Sequence, residues 1–170
     1  MPVSAQVIST RAGVVKKVDG DVFYRCHENK NNAQNLANGL ALHNEDTIVT
    51  AESSSIIMAL NPDSYLYVDG DALIKVKNTE LNKMHFDIER GEIILFIRSL
   101  KNGASLVIHT PPGILTISKG GRYRVSVGKE GNTEANVFGG ELRYINEKGE
   151  LVKIKKGRQV NFVEVEKNNE

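Results

Sequence analysis

His109 to Val125 reads HTPPGILTISKGGRYRV. Two prolines and a glycine precede a short apolar run, a glycine pair follows, and apolar residues then alternate with polar and basic ones. Such a stretch is either a glycine-rich loop shaped around a ligand or the punctuation of a β-sheet. Pro111 fixes its own φ and biases Thr110 toward extended geometry, and Pro112 does the same to Pro111. The chain is therefore expected to stay extended up to a turn at Gly113. Ile114 to Ile117 suit a strand, Gly120-Gly121 suit a turn or bulge, and Tyr123, Val125 and Val127 return to one apolar face. The glycine pair reads as a corner in a stacked sheet.

The same grammar runs outward from this stretch. Apolar and polar residues alternate in HFDIE (Phe86, Ile88) and VKIK (Val152, Ile154), as in half-buried strands. The runs Ile56 to Leu60 and Ile93 to Ile97 are apolar throughout, which predicts strands covered on both faces. Asp19-Gly20 and Asp69-Gly70 favour the positive φ of tight hairpin turns, with Asn102-Gly103, Lys148-Gly149 and Lys156-Gly157 doing similar work. Helix signals are confined to Asn29 to Leu42 and Thr79 to His85, short windows without an apolar stripe, good for a turn or two. Glycines near Gly70, Gly91, Gly113, Gly139 and Gly157 recur at roughly 18 to 26 residues. The predicted fold is all-β, a solenoid-like or two-sheet stack of about a dozen short strands. One domain over residues 7–165 is expected, with 166–170 as a frayed tail.

Composition narrows the function classes. With 170 residues, 40% hydrophobic and 25% charged, the chain has the makings of an ordinary folded domain. A net charge of +1 supplies no field to draw in nucleic acid, which is not expected as a partner. The single cysteine, Cys26, excludes an internal disulfide and the cysteine-rich zinc motifs. No apolar run is long enough to span a bilayer, and MPVSAQVISTR lacks the basic start and apolar stretch of a secretory signal.

Candidate chemistry is sparse. His27, His43, His85 and His109 form no recognised ligand spacing, and adjacent residues such as Cys26 and His27 would point to opposite faces of a strand, so no metal site is expected. Asp69-Gly70-Asp71 and Asn61-Pro62-Asp63 lack the spacing of a calcium loop and read as turns. Neither a nucleophile elbow nor a phosphate-binding loop occurs, and GKEGNT, Gly128 to Thr133, reads as a hairpin. No catalytic residue and no cofactor are expected, and the chain is not expected to be an enzyme. Lys153, Lys155, Lys156 and Arg158 make a basic strand face that either guards a sheet edge or contacts an anionic surface.

The order of these pieces resembles the FecR-like domain family. NLANGLALHNEDTIVT supplies Leu36, Gly39 and Leu42, then Asp46, Ile48 and Thr50, and an Asp63-Ser64 turn follows the next apolar strand. IERGEIIL with Gly91, the Thr110, Pro111, Gly113 segment, the Gly120, Tyr123, Val125 segment, and Gly140 and Gly157 in the closing strands continue it to about Phe162. Glu45 stands where the family usually has glycine, Gly121 where it has threonine, and Tyr123 where it has phenylalanine.

The resemblance implies a β-domain of the bacterial cell envelope that works by protein contact in signal relay or assembly. In well-known members it lies in the periplasm, joined through a transmembrane helix to a segment that controls a sigma factor. A periplasmic or exported location is expected if a targeting segment has been removed, and a cytoplasmic one if the chain is the full gene product. Two other readings stand beside this one. Strand edges offer unpaired backbone groups for self-assembly into an array or filament. Tyr65, Tyr67, Tyr123 and Tyr144 could stack on a carbohydrate or small ligand.

Overall fold

Residues 11–29 and 31–162 are described by the structure, a computed structural model of the chain. They form β1 (Val14–Asp19), β2 (Val22–Arg25), β3 (Ala33–Asn35), β4 (Thr47–Thr50), β5 (Ser55–Asn61), β6 (Ser64–Val68), β7 (Leu73–Asn78), β8 (Lys83–Ile97), β9 (Ser105–Thr110), β10 (Gly113–Ile117), β11 (Gly121–Val127), β12 (Thr133–Gly139), β13 (Glu141–Asn146), β14 (Leu151–Lys155) and β15 (Arg158–Phe162). The all-β expectation holds, with fifteen strands in place of about a dozen. No helix forms among the described residues: without an apolar stripe to bury, neither expected window repays helix nucleation. Residues 7–10 and 163–165 of the expected domain, and the tail 166–170, lie outside the described residues.

The strands hydrogen-bond into one open, mixed sheet that folds over a single core. One layer runs β3-β2-β4-β7-β8-β9-β10-β13-β14, and the other runs β1-β5-β6-β8-β11-β12-β15. Strand β8 belongs to both: His85 to Arg90 pair with β7, and Ile93 to Phe96 pair with β6. It crosses between layers at Gly91, where φ is +109° and an added Cβ would lie 2.4 Å from the Cβ of Ala72. A side chain cannot be accommodated there without moving the adjacent corner. Among the described residues every strand pairing is antiparallel except that of β8 with β9.

Period-two burial closes the core. Val15, Met58, Leu66, Leu95 and Val125 come from one layer and Ile48, Ile74, Phe86, Ile108, Leu115 and Leu142 from the other. Fully burying each contributes roughly 1.5 to 3 kcal/mol relative to exposure. Tyr144 stacks on Phe162 at 3.6 Å between ring centroids, tying β13 to β15.

Three sequence expectations need correction. Asp19-Gly20 and Asp69-Gly70 do not close hairpins: β1 pairs with β5 while β2 pairs with β3 and β4, and β6 and β7 likewise sit in different layers. Each Asp-Gly is a corner carrying the chain from one layer to the other. Local turn chemistry fixes a reversal of direction, whereas burial of the strand faces decides the partner. Secondly, the β9–β10 reversal falls on Pro111-Pro112, because Thr110 already pairs with Gly113. The prolines lack the N–H groups that would extend the ladder. Thirdly, the apolar runs are covered on one face only. Ile56, Met58 and Leu60, and Ile93, Leu95 and Ile97, are buried, but Ile57, Ala59 and Ile94 are half-buried and Phe96 is 45% exposed.

The corners stack along one rim, held by hydroxyls. Thr50 Oγ1 donates to the Asp69 carbonyl at 2.7 Å and accepts the Ala72 N–H at 2.9 Å. Ser54 Oγ accepts the Asp21 N–H at 2.9 Å, and the Asp69 N–H donates to the Glu92 carbonyl at 3.0 Å.

Candidate interaction surface

The residues that carried the family resemblance serve the backbone. Gly39 donates its N–H to the Val15 carbonyl at 2.8 Å, and Gly157, in the corner from β14 to β15, donates to the Val137 carbonyl at 2.7 Å. Thr110 Oγ1 donates to the Gly113 carbonyl at 3.1 Å across the Pro111-Pro112 turn. Gly120 and Gly140 occupy neighbouring corners, and Tyr123 joins them: its hydroxyl donates to the Lys119 carbonyl at 2.9 Å and accepts the Glu141 N–H at 3.1 Å. Burial pushes this phenol's pKa up. Phenylalanine, usual here in the resembled family, would fill the space and leave both backbone groups without this partner. Val125 lies wholly in the core.

The basic residues do not converge on one site. Lys153 and Lys155 lie on β14, an edge strand, opposite Arg143 and Glu141. Lys156 is at the corner, and Arg158 is on β15 in the other layer. Glu141 takes up part of the charge, 3.3 Å from Lys119 and 3.6 Å from Arg143, and the Lys119 ammonium lowers its carboxyl pKa. Edge strand β1 carries Lys16 and Lys17 beside a register shift at Val15/Lys17. Lysines and bulges on edges oppose pairing with a further strand.

A surface that the sequence reading missed lies on the outer face of β5, β6, β8, β11 and β12. The register aligns Ala59, Tyr65, Phe96 and Arg122 in one cross-strand row, and a register shift between Arg122 and Tyr123 brings in Phe138. Tyr65 is 38% exposed and Phe96 and Phe138 are each 45% exposed. The Arg122 guanidinium stands 4.8 Å from the Phe138 ring centre and 5.9 Å from that of Phe96, within cation–π range. Beside this row run Ile57, Tyr67, Ile94 and Arg124. Arg124 grips Glu92 with both ends of its fork, at 2.9 and 2.7 Å. A contiguous apolar patch of this kind marks a contact surface more often than scattered exposed residues do. Its signal was in plain view: once Ile93, Leu95 and Ile97 are assigned to the core, Ile94 and Phe96 must face outward. The four tyrosines do not make one platform, because Tyr123 and Tyr144 are buried while Tyr65 and Tyr67 face out.

Two groups of metal-binding side-chain types also come together. Ligand atoms of Cys26, His27 and Asp46 all lie within 4.8 Å of one another. Elsewhere, Asp87 Oδ1 stands 3.0 Å from His85 Nε2 and 3.6 Å from His109 Nδ1. Strand alternation does not separate Cys26 from His27, because both lie beyond the end of β2.

Two crystal structures of a protein from Parabacteroides distasonis, described as a "putative anti-sigma factor", share this fold. The structure at 2.50 Å resolution matches with a TM-score of 0.57 and 13% identity, over 68% of this chain and 53% of that one. The structure at 1.65 Å gives 0.56 and 12% over the same shares. The chain spans about half the length of these proteins, and at such identity the likeness is one of fold. No protein-family model matches the chain, and no curated protein matches it in sequence.

Proposed function

We propose that this is a regulatory signalling domain of the FecR-like type, working in the bacterial cell envelope by protein contact and catalysing no reaction of its own. The contact is assigned to the outer face of β6, β8, β11 and β12. The exposed Tyr65-Phe96-Arg122-Phe138 row carries this reading, on a fold shared with proteins described as anti-sigma factors. Aromatic residues and arginine are enriched among the side chains that anchor protein interfaces, the rigid aromatics because they bury large area at little conformational cost and arginine because its planar fork stacks and hydrogen-bonds. The lysines on β1 and β14, with the bulge on β1, oppose filament growth through those two edges.

The test replaces both Phe96 and Phe138 by serine in the chromosomal gene and compares the transcripts with those of a deletion strain. The two strains are expected to alter one shared set of sigma-factor-dependent genes. A folded double variant with wild-type transcripts, while the deletion changes them, overturns the assignment of the face. A deletion without effect on any such set overturns the regulatory reading. Recovery of the native protein only from the cytoplasm overturns the envelope location.

A further inference from the structure

The turn that follows β2 holds Cys26 and His27, and the segment leading into β4 holds His43 and Asp46. Asp46 is 2% exposed, and backbone groups fix both its carboxylate oxygens. The His27 N–H donates to Oδ1 at 3.0 Å and the His43 N–H to Oδ2 at 2.8 Å. This one side chain therefore clamps two loops together and holds both histidines beside it. His27 Nδ1 lies 3.2 Å from Asp46 Oδ1 and 3.9 Å from Cys26 Sγ. His43 Nδ1 lies 4.0 Å from Asp46 Oδ2, with the two imidazole centres 6.4 Å apart.

From these positions we infer that Cys26, His27 and Asp46 bind a thiophilic divalent cation of the zinc type, with His43 as the fourth ligand. Tetrahedral zinc bonds sulfur at about 2.3 Å and nitrogen or oxygen at about 2.0 Å, which separates sulfur from nitrogen by about 3.5 Å and nitrogen from oxygen by about 3.3 Å. The observed 3.9 and 3.2 Å differ from these by a few tenths of an ångström, and the remaining pair, Cys26 Sγ with the Asp46 oxygen, lies within 4.8 Å and closes by up to about 1.3 Å through rotation of the half-buried Cys26 side chain. Thiolate with imidazole selects zinc-like ions over calcium or magnesium, which seek oxygen cages. The backbone N–H groups on Asp46 orient the carboxylate as outer-shell donors do in metal sites. The ion also answers an electrostatic need, since the charge partners of this buried carboxylate among the described residues are two imidazoles. His43 is 65% exposed, so its ring is free to turn toward the ion. Occupancy would join the turn after β2 to the entry of β4 and stabilise the fold by mass action.

The His85-Asp87-His109 group serves as the internal control. Metal-stripped full-length protein is titrated with Zn2+ against a chromophoric chelator and with Co2+ by absorption. One ion per chain is expected, with a thiolate-to-cobalt charge-transfer band. Cys26→Ala should weaken Zn2+ binding at least about tenfold and abolish that band. His109→Ala should leave both unchanged. No Zn2+ binding by the wild type, no thiolate band with Co2+, or equal affinity in Cys26→Ala and wild type each overturns the inference. A loss with His109→Ala as large as that with Cys26→Ala places the ion at the other group and overturns it as well. If Cys26→Ala proves less stable without metal, the wild-type cobalt spectrum still decides.

Discussion

Two regions of this molecule are built on opposite rules. Along the stacked corners, Gly91, Gly140, Thr50 and Asp46 are specified by what the backbone needs: a left-handed turn, a close crossing, a partner for a buried N–H. On the outer face, Tyr65, Phe96, Arg122 and Phe138 meet no backbone requirement, and the core would close without them. Residues of the first kind announce the fold. Residues of the second kind are free to serve a partner, and they fall at positions with no motif.

The scaffold is least tolerant at Gly140. An added Cβ would sit 2.0 Å from the Tyr123 hydroxyl oxygen and 2.7 Å from the Gly120 carbonyl, at a φ of +91°. Gly140→Ala combines left-handed strain of about 1 to 2 kcal/mol with overpacking of about 1 to 3 kcal/mol. A loss of about 2 to 5 kcal/mol by chemical denaturation is therefore expected. Gly39 shares a left-handed φ of +85° but has nothing within 4 Å, so Gly39→Ala should lose only the conformational part. Equal losses at both sites would show that the corners are not tightly packed. Next in size is Thr50→Val, which keeps the shape but strands the buried Ala72 N–H, for an expected loss of about 2 kcal/mol. Hydrogen exchange at Ala72 should accelerate in parallel.

These effects explain what was legible. Alternation in RYRVSV placed Tyr123, Val125 and Val127 inward, and the glycine pair became a corner. Strand pairing was not legible, because Asp-Gly encodes a turn without naming the strands it joins. The Asp19-Gly20 and Asp69-Gly70 turns therefore read as hairpins although they join different layers. The outer surface was misread for a related reason. A continuous apolar run looks the same in sequence whether its second face meets protein or stands open, as Phe96 does. The Cys26-His27 pair was set aside on a strand rule that stops applying where β2 stops.

Substitutions on the outer face should leave the fold alone. Phe96→Ser with Phe138→Ser removes the cation–π contacts of Arg122, a loss of about 0.5 to 1 kcal/mol each at an exposed site. Thermal melting should shift far less than in Gly140→Ala, while the transcript pattern of the deletion strain should appear if the proposed regulatory role holds. Leu95→Ala, next to Phe96 on β8 but on the opposite, buried face, should do the reverse in part: it opens a cavity costing about 2 to 5 kcal/mol. If the double serine variant destabilises as much as Leu95→Ala, the outer row is structural and its freedom to serve a partner is disproved.

The smallest effect lies where the sequence departs from the resembled family. Glu45, in place of glycine, adopts a left-handed φ of +72°. It is held by Lys77 at 2.8 Å and Lys75 at 2.9 Å. The hydrogen bond from Lys77, then that from Lys75, pull its pKa from 4.5 to about 2. A carboxyl whose pKa falls on folding stabilises the protein above the unfolded value and loses that contribution as acid reaches the folded value. Because Glu45 is 42% exposed, solvent screening limits the contribution to less than about 1 kcal/mol. Wild type should exceed Glu45→Gln in stability by a constant margin well above pH 4.5, and the margin should shrink as pH falls from there through about 2. Denaturation midpoints of the two proteins across that window test it. A margin that does not change from neutral pH down through pH 2 would assign the role of Glu45 to packing in its left-handed turn, and the lysine pair on β7 would then count with the exposed surface, not with the scaffold.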